Sequence, residues 1–234
     1  MKLRTLRNML VGTTLLAGSA TASAIPIELG LAIDGSGSIG FSTFQAQQNI
    51  YADVLSDPNI VPQDGSVAIA ALVFSSSFNT LFPATVIDPT TIGGVADAIR
   101  NAAYPGGGTN IGIGIDALTS EIFGNGIDSD RQVIDVSTDG VGSLGTSVAD
   151  SLAAGVDQIN CLGIGAGANC SFIPDDSFSV IISSFDDLES ALRQKLQREI
   201  GGGPIGVPEP SALAVLALGL AGIGAAGRRR ARRG

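Results

Sequence analysis

The sequence predicts an α/β fold with a doubly wound, mostly parallel sheet, helices on both faces and one antiparallel edge strand. Short apolar runs typical of buried strands alternate with longer amphipathic stretches typical of helices. Two runs, 66–74 and 80–87, are separated only by a short polar turn, which predicts the antiparallel pair. The other runs are joined through helical stretches, as parallel strands require.

The individual elements follow from apolar runs and their boundary residues. Predicted strands cover 27–33, 66–74, 80–87, 132–137, 158–164 and 179–182, and predicted helices cover 41–55, 90–103, 111–123, 147–154 and 185–200. The first helix closes at Asp57 and Pro58, and the second begins after Asp88 and Pro89, because proline disfavours a helical conformation in the residue before it. Glycines 201–203 and Pro204 end the last helix.

Both ends of the chain carry targeting patterns. Lys2, Arg4 and Arg7 precede an apolar run over 9–17, and a small-residue cleavage site ends at Ala24, so residues 1–24 are predicted to be a signal peptide removed by signal peptidase. About 180 residues then remain before the C-terminal pattern, which is a normal size for one domain. We place that domain at 25–200 and a Gly/Pro linker at 201–206.

The last 28 residues, 207–234, combine three parts in a fixed order. Val207, Pro208, Glu209 and Pro210 come first, an apolar run over 212–226 follows, and five arginines close the chain. This order resembles the PEP-CTERM sorting signal of Gram-negative bacteria. The resemblance implies a short transmembrane helix that anchors the protein transiently in the inner membrane, cleavage by an exosortase-type peptidase, and delivery to the cell envelope or extracellular matrix. A permanent single-span anchor is the alternative.

Charge and cysteine content exclude several classes of function. Of 13 basic residues, three lie in the leader and five in the tail, whereas all 22 acidic residues lie at or after Glu28. The domain is therefore strongly acidic, and nucleic acid is a poor partner. Cys161 and Cys170 are the only cysteines, and export to an oxidising compartment favours a disulfide between them. Because the chain has no histidine, we expect neither a zinc site nor a cysteine–histidine nucleophile.

The first strand runs into a polar, glycine-rich loop at 34–40. Asp34, Ser36 and Ser38 stand at alternate positions, which predicts an oxygen-lined cradle for a hard divalent cation. The glycines of the same loop also spell G-x-G-x-x-G, the dinucleotide-binding pattern. Asp34 would repel a pyrophosphate, and the next strand ends without the acidic residue that nucleotide binding needs. The cation interpretation is therefore favoured.

Two more loops carry matching residues. Thr109 follows three glycines at the start of a helix, and Asp139 follows a strand and precedes a glycine. Together with Asp34, Ser36 and Ser38, they resemble the metal-ion-dependent adhesion site of von Willebrand factor A (vWA) domains, over essentially the whole mature domain. The resemblance implies a bound Mg²⁺, Mn²⁺ or Ca²⁺ ion. Its ligands, directly or through water, would be Asp34, Ser36, Ser38 and Thr109, with Asp139 close by. It also implies an open position for an acidic group of a protein or matrix ligand.

Each site residue also has a purely structural interpretation. Ser36 and Ser38 could cap the first helix, Thr109 or Asn110 could cap a later one, and Asp139 could be a turn residue. Asp135 faces away from the site by strand alternation and could be an exposed strand residue.

The expected function is that of an exported binding module, not an enzyme. A metal-dependent hydrolase or phosphotransfer enzyme is the first alternative, but it would need a base and an arginine clamp near the metal. Arg100 and Arg131 are the only arginines of the domain before Arg193, and neither lies in a metal loop. A surface domain that uses metal only for stability is the second alternative.

Overall fold

The protein is described by a computed structural model that covers residues 25–202. The strands are β1 Ile27–Asp34, β2 Val67–Phe74, β3 Phe78–Val86, β4 Gln132–Thr138, β5 Gln158–Ile164 and β6 Ser179–Ile182. The helices are α1 Phe41–Leu55, α2 Ile92–Arg100, α3 Ile111–Gly124, α4 Ser147–Ala154 and α5 Leu188–Gly201, with a 3₁₀ turn at Phe185–Asp187 before α5.

The strands form one six-stranded sheet in the order β3-β2-β1-β4-β5-β6. Only the β2–β3 pair is antiparallel, and the other four pairs are parallel. The predicted fold class, including the antiparallel edge, is confirmed. The boundaries differ by a few residues at α2, where the Asp88 side chain accepts hydrogen bonds from the backbone N–H groups of Thr90 and Thr91 and delays the helix start.

Apolar side chains fill both faces of the sheet. On one face, β1 and β2 pack with α1, α2 and α5 around a core that includes Leu31, Phe44 and Leu192. On the other face, α3 packs over Ala70, Phe74 and other residues of the central strands. Because β1 and β4 are buried on both faces, their carboxyl ends are held in fixed positions at one edge of the core.

Several predicted segments lie outside the described residues: the signal peptide at 1–24, most of the linker at 201–206, and the sorting segment at 207–234 with its apolar helix. Within residues 25–202, no helix is both long and apolar enough to cross a membrane.

Candidate metal site

The predicted site residues lie where the chain changes direction across the sheet. From β1 the chain moves to β2 and β3 on one side, and β4 returns to the other side of β1. A crevice opens beyond the carboxyl ends of two strands that diverge in this way, and ligands of open α/β sheets bind there. Asp34 ends β1, and Asp139 directly follows β4.

Asp34 is a buried carboxylate that two neighbours orient. Its Oδ1 accepts a hydrogen bond of 2.7 Å from the backbone N–H of Ser36, and its Oδ2 accepts one of 2.7 Å from the Thr138 hydroxyl. Burial raises the pKa of Asp34, and the nearby charge of Asp139 adds to this effect, although the hydrogen bonds from Ser36 and Thr138 oppose it. A buried carboxylate beside a second carboxylate favours a cation between them.

Hydroxyl groups connect the first loop to the Asp139 turn. The Ser36 and Ser38 hydroxyl oxygens are 3.1 Å apart, and the Ser38 hydroxyl donates to Oδ1 of Asp139 at 2.8 Å. Helix α1 begins at an N-cap of Gly40 with no side-chain cap hydrogen bond, so neither serine caps it. The two serines instead contact each other, and Ser38 links them to Asp139.

The loop that carries Thr109 lies against the first loop. The backbone N–H of Gly37 donates to the carbonyl of Gly107 at 2.8 Å, and the backbone N–H of Gly106 donates to the carbonyl of Gly35 at 3.0 Å. Thr109 is half-buried, and its carbonyl accepts a 3.1 Å hydrogen bond from the backbone N–H of Ser143, in the segment after Asp139. The residue after Thr109, Asn110, caps α3 through a 3.2 Å hydrogen bond from the N–H of Ile113, so the capping interpretation applies to Asn110.

The glycines of the first loop serve close packing between these loops. A Cβ at Gly35 would lie 2.6 Å from Val73 Cγ1 and 2.8 Å from Pro105 Cδ. A Cβ at Gly37 would lie 3.0 Å from the Gly107 carbonyl oxygen. The spacing that resembles a dinucleotide-binding pattern is thus used here to bring two loops into contact.

Three further residues support the site and were not singled out from the sequence. The Tyr104 hydroxyl donates to the Ser36 carbonyl at 3.1 Å, the Gln47 side chain donates to the Asp34 carbonyl at 2.9 Å, and Thr138 holds Asp34 as described above. Gln47 is fully buried on α1 next to Gln48 and one turn before Tyr51. The sequence signal for Gln47 was its place on the apolar face of the predicted first helix, one turn before Tyr51.

Cys161 and Cys170 form a disulfide with a Cα–Cα distance of 5.7 Å. The turn that this bridge closes reaches the Asp139 turn, because a Cβ at Gly167 would lie 3.1 Å from the Asp139 carbonyl oxygen. The bridged loop therefore lies against one wall of the site.

The structure contradicts the sequence interpretation of Asp135. The sequence allowed it to be an exposed strand residue, but it is 1% exposed, and its carboxylate pairs with the Nζ of Lys195 on α5 at 2.5 Å. Alternation correctly places Asp135 on the face away from the site. That face is covered by α1 and α5, so the interpretation as an exposed residue is wrong.

The residues present are chemically suited to a hard cation. The loops bring together carboxylate and hydroxyl oxygens, which Mg²⁺ and Ca²⁺ prefer over nitrogen or sulfur. Within residues 25–202, no cluster of three or more histidine, cysteine or acidic side chains could hold a metal ion. The predicted set includes two acidic residues, Asp34 and Asp139, and its other members are hydroxyls.

Three solved structures illustrate the proteins with similar folds. Proximal thread matrix protein 1 of the mussel byssus, with a zinc-occupied MIDAS motif, is 18% identical with a TM-score of 0.57, over 76% of this chain and 48% of that one. A von Willebrand factor type A structure from Catenulispora acidiphila is 17% identical with a TM-score of 0.57, over 76% and 43%. The pilus adhesin SpaC from Lactobacillus rhamnosus GG is 13% identical with a TM-score of 0.60, over 77% and 31%.

This chain thus spans less than half of each of those proteins, and the similarity shows a vWA-like fold. No curated protein is similar enough to count as a match. Residues 206–230 match the PEP-CTERM protein-sorting motif, which indicates an exported, envelope-associated protein. Residues 24–204 match the model of a protein family of unknown function, DUF1194, and the chain belongs to that family.

Proposed function

We propose that the protein is an exported binding module that recognises a protein or matrix ligand through a divalent cation. The observation that carries the proposal is the hydrogen bond from Ser38 to Asp139, which joins side chains 101 residues apart in sequence. With Asp34 buried beside them, the two loops present oxygens of the kind a cation needs.

The cation would be held by Asp34, Ser36, Ser38 and Thr109, with Asp139 close by. Mg²⁺ is the first candidate, with Mn²⁺ and Ca²⁺ as alternatives. The absence of histidine argues against zinc, but we add it as a further candidate, because a structure of the mussel protein has a zinc-occupied MIDAS motif. A bound cation supplies positive charge that an acidic group of a partner can contact. The chain's own residues orient Asp34 and exclude water from one side of it.

Apolar side chains next to the site suggest what surrounds that acidic group. Phe41, which follows the first loop, is 59% exposed, and Val141, two residues after Asp139, is 72% exposed. Phe41 packs edge-on against Tyr104 with ring centroids 6.0 Å apart. A ligand carboxylate flanked by apolar side chains fits such a surface.

The contacts of Arg100 and Arg131 support binding over catalysis. Arg100 pairs with Asp53 and Asp97, and Arg131 donates to the Glu199 carbonyl. Both are therefore engaged away from the loops that carry Asp34 and Asp139. Sustained phosphatase or esterase turnover with Mg²⁺ or Mn²⁺, abolished by Asp139→Ala, would overturn the binding proposal in favour of an enzyme.

The proposed processing places this module outside the cytoplasm. Signal peptidase would remove 1–24, and an exosortase-type peptidase would act at Val207, Pro208, Glu209 and Pro210 after transient anchoring in the inner membrane. The domain at 25–200 and the linker at 201–206 would then reach the envelope or extracellular matrix.

The first test is thermal unfolding with Mg²⁺ and with EDTA. Ligand at about 100 times its dissociation constant stabilises a protein by about 2.7 kcal/mol, so the wild-type midpoint should rise with Mg²⁺. Asp34→Ala should abolish this rise, and the exposed Asp116→Ala on α3 should keep it. An equal response of wild type and Asp34→Ala would contradict the proposed site.

The second test separates ligand binding from a purely structural use of metal. Cell-surface material is passed over immobilised protein with Mg²⁺ or EDTA, and Val141→Ser is compared with Phe123→Ser. Phe123 is 48% exposed at the opposite end of α3 from the site. We expect Mg²⁺-dependent capture that Val141→Ser weakens and Phe123→Ser preserves. Stabilisation by Mg²⁺ without any capture would favour the structural interpretation.

A further inference from the structure

Lys195 is the only lysine outside the first 24 residues, and it is fully buried on α5. Every other basic residue of the domain is an arginine. The two residue types differ chemically, because arginine stays charged in proteins whereas a buried lysine amine loses its proton readily and can act as a nucleophile. The burial of this one lysine therefore raises the question of what it does.

Two buried acidic side chains surround the Lys195 amine. Its Nζ lies 2.5 Å from Oδ1 of Asp135 on β4, and it also contacts Oε1 of Glu199 one turn along α5. Within the described residues, neither oxygen of Asp135 is aligned for a hydrogen bond, although Nζ is so near. The Asn160 side chain donates to the same Glu199 oxygen at 2.9 Å.

The Phe178 ring closes this cluster. The Lys195 Nζ lies 5.4 Å from the ring centroid, and Arg198 lies over the same ring at 3.7 Å. An amine, a carboxyl group and a second carboxyl group that contacts the amine are thus shielded from water in the interior.

We propose that Lys195 and Asp135 form an intramolecular amide bond, and that Glu199 relays the proton. The Nζ atom in its neutral form attacks Cγ of the protonated Asp135 carboxyl group and forms a C–N bond. Glu199 accepts a proton from the nitrogen and returns one to the departing oxygen, so the C–O bond breaks and one water molecule leaves. The overall change converts one ammonium and one carboxylate into a neutral amide and water, and it requires no oxidant or cofactor.

The environment favours the product over the ion pair. Charges transferred from water to the interior lose hydration that their mutual attraction only partly restores, whereas an amide carries no charge. Reacting groups held in contact behave as if at effective concentrations of about 10⁵–10⁸ M. Burial and the nearby charge of Asp135 raise the pKa of Glu199 to about 7, which suits a group that must both accept and donate a proton.

The bond would connect the last described helix to the centre of the sheet. Helix α5 precedes the sorting segment in sequence, and β4 lies beside β1 in the middle of the strand order. A pull on the C-terminal end of the domain would then reach a central strand through a covalent link. Such a link suits a domain held at a surface, although the bond does not depend on the proposed metal site.

Tryptic peptide mapping of the full-length chain recovered from its producing cells tests the bond directly. Trypsin cleaves after Arg131, Arg193, Lys195 and Arg198, and an acylated Lys195 resists cleavage. We expect peptide 132–193 joined to 194–198, with a mass lower than their sum by one water molecule. Free Lys195 with separate peptides in folded protein would overturn the proposal.

Two variants test the roles of Lys195 and Glu199 in forming the amide bond. Lys195→Arg keeps a positive charge but cannot form the amide, and should give no joined peptide. Glu199→Gln keeps the side-chain shape but removes the carboxylate that relays the proton. The folded variant should therefore accumulate without the amide bond between Lys195 and Asp135. Joined peptides from folded Glu199→Gln would contradict the relay role. Neither measurement involves a cation or ligand, so failure of the bond and failure of the proposed function are separable.

Discussion

Two aspartates, one inside strand β4 and one directly after it, have sharply different surroundings. Asp139 follows the strand at the half-exposed edge of the sheet and accepts a hydrogen bond from the Ser38 hydroxyl. Asp135 lies four residues earlier in the interior and pairs with Lys195. The interior cluster contains its own amine, that of Lys195, whereas the edge site brings together acidic and hydroxyl groups. The comparison teaches that a residue's position, inside a covered strand or just beyond its end, decides whether the fold itself supplies a basic partner for a carboxylate.

The largest expected effect on stability comes from removal of the buried Lys195 amine. Lys195→Met leaves Asp135 and Glu199 buried without their partner, and breaking a buried pair in this way costs about 3–5 kcal/mol. Denaturant unfolding should show this loss in the free energy of unfolding, whereas Gln197→Met on the exposed face of α5 should show little change. Adding Asp135→Leu to Lys195→Met should restore part of the loss. If Lys195→Met lowered the free energy of unfolding as little as Gln197→Met does, Asp135 would not depend on a buried basic partner, and the contrast with Asp139 would be wrong.

An intermediate effect on stability is expected from substitution of Asp34 at the edge site, and this effect should depend on Mg²⁺. Burial already disfavours the charged form of Asp34, so in EDTA the Asp34→Asn variant should be at least as stable as wild type. With Mg²⁺ at about 100 times the dissociation constant, wild type should gain about 2.7 kcal/mol and the variant should gain little. Unfolding midpoints with and without Mg²⁺ measure both quantities. Equal gains in the two proteins would mean that Mg²⁺ binds elsewhere.

The smallest effect is expected at a third kind of carboxylate, an ion pair near the surface. The backbone N–H of Asn59 and the Arg193 guanidinium lower the pKa of Asp57. A lowered pKa stabilises the fold above the unfolded-state value of about 3.9, and this contribution is lost as the pH falls through the folded-state pKa. Asp57→Asn should therefore lower the unfolding midpoint slightly at pH 7, and the difference from wild type should fade in acid. A difference that grows in acid would contradict this sign.

Most of the fold could be predicted from local sequence because its signals are local. Buried strands such as β1 and β4 are continuous apolar runs, and Asp57 and Pro58 mark a helix end that the structure places at Leu55. The site residues could be proposed for a related reason. Each follows a strand or precedes a helix, and the carboxyl ends of parallel strands meet at one edge.

The partners of the interior residues could not be predicted in this way. Strand alternation gives the face on which Asp135 lies, but not whether a helix covers that face. The contact with Lys195 depends on α5 packing beneath the sheet, and Gln47 reaches the Asp34 carbonyl only because α1 packs there too.

The sequence by itself determined the alternation of strands and helices and the C-terminal sorting motif, and it indicated the five candidate site residues, because each of these signals lies in residues close together in the chain. The tertiary structure decided how the loops join through Ser38 and Asp139, and that the one lysine of the domain lies beside Asp135 and Glu199. These contacts join segments far apart in sequence, and their formation depends on the packing of whole elements.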